Sequence, residues 1–94
     1  MEVTITPRAF NVINAISDFV ESENTPGSGV RFAIRFKNRI EKLAVPNVKY
    51  ALCSHPVLAS YQYSCSYFND WVIAFRIVED ELIVYDIIHS SLLF

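Results

Sequence analysis

Trp71-Val72-Ile73-Ala74-Phe75-Arg76-Ile77-Val78, Glu79-Asp80-Glu81 and Leu82-Ile83-Val84-Tyr85-Asp86-Ile87-Ile88-His89 are the three consecutive pieces of sequence that decide the fold. Two strand-length apolar runs, rich in β-branched and aromatic residues, flank an acidic turn, which is the pattern of an antiparallel β-hairpin. Ala59–Phe68 alternates just upstream, with Tyr61, Tyr63, Cys65 and Tyr67 on one face and Ser60, Gln62, Ser64 and Ser66 on the other. Phe68-Asn69-Asp70 reads as the turn into Trp71. With three-residue turns at both bends, odd positions from Tyr61 to Ile87 share one large apolar face, Tyr85 among them. That register sets Asp86 opposite Ala74 and diagonal to Arg76, and predicts an ion pair between them. A two-residue turn would move Asp86 among the large apolar residues, where an unpaired carboxylate is costly.

Something must cover the apolar face, and the first half of the chain supplies it. Glu2–Thr6 alternates as a short strand. Thr6-Pro7 is a helix start: a hydroxyl at the cap, and proline at the first helical position, where its missing N–H costs nothing. Phe10, Ile13, Ile16 and Val20 then recur at helical steps, widened by Val12 and Phe19, which predicts an amphipathic helix from about Pro7 to Glu23. Asn24-Thr25-Pro26-Gly27 turns the chain. Ser28 is placed to cap a second helix, whose face is Phe32, Phe36, Ile40 and Leu43 and whose end is marked by Pro46. Asn47–Pro56 reads as connection, with a short strand conceivable around Lys49–Leu52. The expected fold is α+β, ordered β-α-α-β-β-β, with a helical hairpin packed on one face of a small, mainly antiparallel sheet.

The chain has 94 residues, enough for one domain spanning 1–94 around one core. A hydrophobic fraction of 52% against 19% charged excludes a disordered chain. No run reaches the roughly 18 apolar residues of a membrane span, and Met1-Glu2-Val3-Thr4 lacks the basic and apolar start of a signal peptide. No membrane association and a cytoplasmic location follow as expectations. Cys53 and Cys65 are expected as reduced thiols, and their spacing, with His55 nearby, fits no common zinc pattern. Neither a metal nor a cofactor is implied. Net charge is −2, yet Arg31, Arg35, Lys37, Arg39, Lys42 and Lys49 are six of the eight basic residues. General nucleic-acid binding is disfavoured, while the basic helix face around Arg31, Arg35 and Arg39 is a candidate partner surface.

The element order, the end of the second helix at Ile40-Glu41-Lys42-Leu43 before Pro46, and the final hairpin closing on His89 resemble the RelE/ParE toxin superfamily of toxin–antitoxin and plasmid-stabilisation systems. That resemblance implies a cognate antitoxin as partner and one of two activities. RelE-like relatives cleave messenger RNA on the ribosome; ParE-like relatives poison DNA gyrase. Cleavage through a ribose 2′-hydroxyl requires a base, an acid and cations on the phosphate. Where such nucleases place a basic residue early in the first strand of the hairpin, this chain has Val72. Where they carry a basic or aromatic tail, it has Ser90-Ser91-Leu92-Leu93-Phe94. The catalytic candidates left are Arg76, His89 and Tyr85: His89 as an imidazole suited to acid–base work, Arg76 as a phosphate ligand, and Tyr85 on the helix-facing side. A structural ion pair is the alternative for Arg76, strand-end packing for His89, and a core position for Tyr85. The resemblance therefore implies a toxin acting by protein binding, ParE-like, with the ribosome-dependent endonuclease as alternative. A degenerate binding module is the third reading. Leu92 and Phe94 join the partner-surface candidates as an apolar tail, and a homodimer stays open.

Overall fold

A computed structural model describes residues 1–93. Its elements are β1 (Glu2–Ile5), α1 (Pro7–Glu23), α2 (Ser28–Leu43), α3 (Pro56–Ser60), β2 (Ser64–Phe68), β3 (Trp71–Val78), β4 (Glu81–His89) and a closing 3₁₀ turn, Ser90–Leu92. The α+β layout is the expected one, with the single added turn of α3. The strands form one sheet in the order β1-β4-β3-β2. β1 runs parallel to β4, and the other neighbours are antiparallel.

α1 starts where its sequence says. Thr6 Oγ1 accepts from the Ala9 N–H at 3.2 Å, and Pro7 occupies the first turn. Its buried stripe is Ala9, Ile13 and Ile16, rotated from the expected one, so that Phe10 is 41% and Phe19 66% exposed. α2 buries Phe32, Phe36, Ile40 and Leu43 as expected. Ser28 does not cap it. Gly27, at φ 86°, holds the cap position, and the Glu21 carboxylate reaches across from α1 to accept from the Gly27 and Gly29 N–H groups at 2.9–3.1 Å. Those two bonds hold its carboxyl below the ordinary carboxylate value, with Arg31 adding to the effect. Gly29 is where the helices touch: a Cβ there would collide with the Ser17 carbonyl oxygen and lie 3.0 Å from Glu21 Cβ.

The sheet corrects the expected turns. Phe68 pairs with Trp71 and Val78 with Glu81, so both bends are two-residue turns, Asn69-Asp70 and Glu79-Asp80. Asn69 (φ 53°) and Glu79 (φ 57°) supply the left-handed first position that twists such a turn to suit the strands. β2 alternation is thereby inverted. Phe68, Ser66 and Ser64 face the helices with Trp71, Ile73 and Phe75, while Tyr63, Cys65 and Tyr67 lie on the other side. A bulge in β4 resolves the difficulty with Asp86. Phe75 pairs with Val84 but Ala74 with Asp86, leaving Tyr85 as the extra residue. Leu82, Val84 and Ile87 thus enter the core with Ile73 and Phe75, and Asp86 keeps its place opposite Ala74 on the outer face.

Three further readings differ from the structure. Cys53 and Cys65 are joined in a disulfide, Cα atoms 5.0 Å apart, and are not free thiols. The strand expected from Ala59 begins only at Ser64, because Pro56 opens α3 and Gln62 turns the chain with φ 65°. Lys49–Leu52 forms no strand. Between α2 and β2, residues 44–63 cross toward the outer sheet face. Val72 and Ala74, which point to that side, are both fully buried there.

Candidate functional site

The outer face gathers most of the chemistry-bearing side chains. Tyr61 and Tyr63 stack with ring centroids 5.6 Å apart, and Tyr63 stacks on Tyr85 at 5.1 Å and 17°. Tyr85 is therefore not a core residue facing the helices. The bulge turns it outward to end a three-ring ladder. Burial pushes the Tyr63 phenol pKa up, the neighbouring Tyr85 and Asp86 add to this, and Arg76 opposes it. The ladder lies within the fields of Arg76 and Asp86, yet these two do not form the expected ion pair. Asp86 instead accepts from Arg8 Nε at 3.1 Å, and its other oxygen caps the Ile87 N–H at 2.9 Å. α1 supplies that partner, which reading along the hairpin alone could not reveal.

Arg76 borders a cleft of about 400 Å³ walled by Val48, Lys49, Tyr50, Leu52, Gln62, Ser64, Phe75 and Ile77. Two cations line it and no carboxylate does, so the cleft is suited to an anionic group. Tyr50 anchors its inner wall, with its hydroxyl donating to the Leu43 carbonyl at 2.8 Å and its ring edge-on to Phe75. Lys49 and Tyr50 were not candidates from sequence, because the segment carrying them has no readable period.

His89 is elsewhere. It pairs with Trp71 at the far end of the hairpin, where its ring meets the indole edge-on at 5.0 Å. Its Nδ1 accepts from the Ser91 N–H at 3.2 Å and lies 2.7 Å from Ser91 Oγ, so the ring caps the closing 3₁₀ turn. Five residue steps along β3 take Trp71 to Arg76, roughly 16 Å at strand rise, and alternation sets them on opposite faces. Arg76 and Tyr85 are brought to one face, and His89 is not.

On α2, Arg31, Arg35 and Arg39 are exposed, Arg35 stacking over Phe32 at 5.8 Å and Arg39 donating to Ser66 Oγ at 3.2 Å. Arg35 and Arg39 also line a shallow cleft with Asn38, Lys42, Tyr67, Phe68 and Asn69. Leu92 is 78% exposed, and Phe94 lies outside the described residues. Val12, Ala15, Ile16, Phe19 and Trp71 form an apolar groove on the α1 side. Among the described residues, no helix is long and apolar enough to cross a membrane, and no group of three or more His, Cys, Asp or Glu is placed to hold a metal.

The helical hairpin laid on one face of a small sheet, in the order β-α-α-β-β-β, is the layout that the RelE/ParE resemblance implies; the four-stranded sheet adds a short first strand parallel to the last. The family model described as "ParE toxin of type II toxin-antitoxin system, parDE" matches residues 3–94. The chain belongs to that family of toxins, and membership implies a cognate antitoxin. No curated protein matches the chain.

Proposed function

We propose that this chain is the toxin of a type II pair and that it acts by binding a protein target, DNA gyrase, in the cytoplasm. The observation that carries the reading beyond the family match is the separation of the candidate catalytic groups. His89 and Arg76 stand roughly 16 Å apart along the backbone by strand rise and on opposite sheet faces, which counts against their acting together on one phosphodiester. With its Nδ1 engaged by Ser91, His89 has a structural occupation. The antitoxin contacts assigned in this proposal are the α2 face of Arg31, Arg35 and Arg39 and the exposed Leu92.

The ribosome-dependent endonuclease remains the second reading, favoured by one arrangement. The Tyr61–Tyr63–Tyr85 ladder beside Arg76 is of the kind on which bases stack while a cation holds phosphate. Induced expression of the chain alone separates the two. Growth arrest with a DNA-damage response and stalled gyrase–DNA complexes supports the proposal, and arrest with rapid messenger cleavage refutes it. A fully viable culture with normal levels of folded protein would leave a binding module without toxicity. Co-expression with the antitoxin should restore growth.

A further inference from the structure

The connection from α2 to β2, residues 44–63, is built as a strap. Its only regular structure is the short α3. Asn47 and Gln62, near its two ends, both sit at φ 65°, a left-handed conformation that asparagine adopts readily and glutamine seldom does. The strap's backbone hydrogen bonds are mainly its own. The Cys53 N–H donates to the Tyr63 carbonyl at 2.8 Å and the Ala59 N–H to the His55 carbonyl at 2.9 Å. Toward the sheet, Ser64 Oγ donates to the Tyr50 carbonyl at a long 3.4 Å. What ties the middle of the strap to the sheet covalently is the Cys53–Cys65 disulfide, Cys65 lying in β2 opposite Ala74. Beneath it are Val72 and Ala74 with no exposed surface, and Lys49, Leu52 and Gln62 of the strap wall the Arg76 cleft.

We propose that this disulfide is a redox latch. Oxidised, it holds the middle of the strap over the outer sheet face and fixes Leu52 and Gln62, two of the residues that wall the Arg76 cleft. Reduced by a dithiol, it frees the stretch between the Tyr50 and Tyr63 anchors, residues 51–62, to lift from Val72 and Ala74. The reductant's thiolate attacks Cys65 Sγ, the less buried of the pair, and the S–S bond breaks with Cys53 leaving as thiolate. The reductant's second thiolate then displaces Cys65 from the mixed disulfide. Two electrons pass from the dithiol, which ends as a disulfide, and the two cysteines take up two protons. Few sheet hydrogen bonds need to break, so opening is local. The latch stands apart from the choice of cellular target, because its test does not use toxicity.

Hydrogen exchange read by mass spectrometry tests it on three samples: the oxidised chain, the chain reduced with dithiothreitol, and C53S/C65S. The expected result is exchange in residues 51–62 faster by about tenfold or more in the second and third samples, with α1, α2, β3 and β4 unchanged. Three results would overturn the latch. One is strap exchange indifferent to reduction. Another is protection lost together across strap, β3 and β4, the mark of a global staple. The third is alkylation of both cysteines after treatment with oxidised glutathione, which would mean that the bond does not form.

Discussion

A double-mutant cycle on Phe36 and Phe68 tests the two-residue turn at Asn69-Asp70. Phe68 meets Phe36 at 4.9 Å and 54°, and Phe32 at 5.5 Å in an edge-on arrangement. It reaches α2 only because Asn69 and Asp70 alone make the turn and pair Phe68 with Trp71. A three-residue turn would send Phe68 outward and bring Tyr67 against the helix. Phe36 has no exposed surface, and shortening it to leucine should cost about 1–2 kcal/mol from lost apolar burial. Phe68→Leu should cost somewhat less, since Phe68 is half-buried. The tilted ring pair should give a coupling energy of about 0.5–1.5 kcal/mol in the cycle. Urea unfolding of the four proteins with unchanged m values measures it. Tyr67→Leu, at a residue 49% exposed, is the control and should change stability by less than about 0.5 kcal/mol. Zero coupling between Phe36 and Phe68, together with a large Tyr67 effect, would refute the register.

Other expectations follow from the same packing. Gly29→Ala should destabilise by about 1–3 kcal/mol through its clash with the Ser17 carbonyl, although alanine is the better helix former by about 1 kcal/mol; chemical denaturation reads the sign. Glu21, held below its ordinary 4.5 by the Gly27 and Gly29 N–H groups, contributes stability fully present above that value and lost as pH falls through its lower folded value. E21Q should therefore flatten the stability profile in that acid window. Asp86→Asn should lower the Tyr63 phenol pKa, seen by ultraviolet titration, because a neighbouring carboxylate that raises it is gone. The exposed Arg8–Asp86 pair itself, with side chains 76% and 20% accessible, should contribute no more than about 1 kcal/mol in a double-mutant cycle.

What could be read from the residues was what depends on local period and caps. Thr6-Pro7 and the stop after Glu23 place α1 at its observed bounds, and Phe32, Phe36, Ile40 and Leu43 define the buried face of α2. The α1 face was read about one position off, because the buried Ala9 carries little apolar signal while the exposed Phe10 and Phe19 carry much. The strand register escaped for a different reason. Asn69 and Glu79 adopt left-handed conformations that glycine would have advertised. The bulge at Tyr85 restored Asp86 to the outer face by a device no alternation count contains. Counting residues therefore set Asp86 opposite Ala74 for the wrong reason, and it assigned Tyr85 to the wrong side. The disulfide and the Arg8–Asp86 pair are contacts between distant elements, and a single sequence carries no trace of them beyond the residue types.

Purified chain added to DNA gyrase and relaxed circular DNA with ATP is the measurement closest to the proposed activity. A ParE-like toxin should block supercoiling and trap cleaved DNA on the enzyme, and prior addition of the cognate antitoxin should relieve both. Unimpaired supercoiling, together with messenger cleavage when the same preparation is added to translating ribosomes, would contradict it.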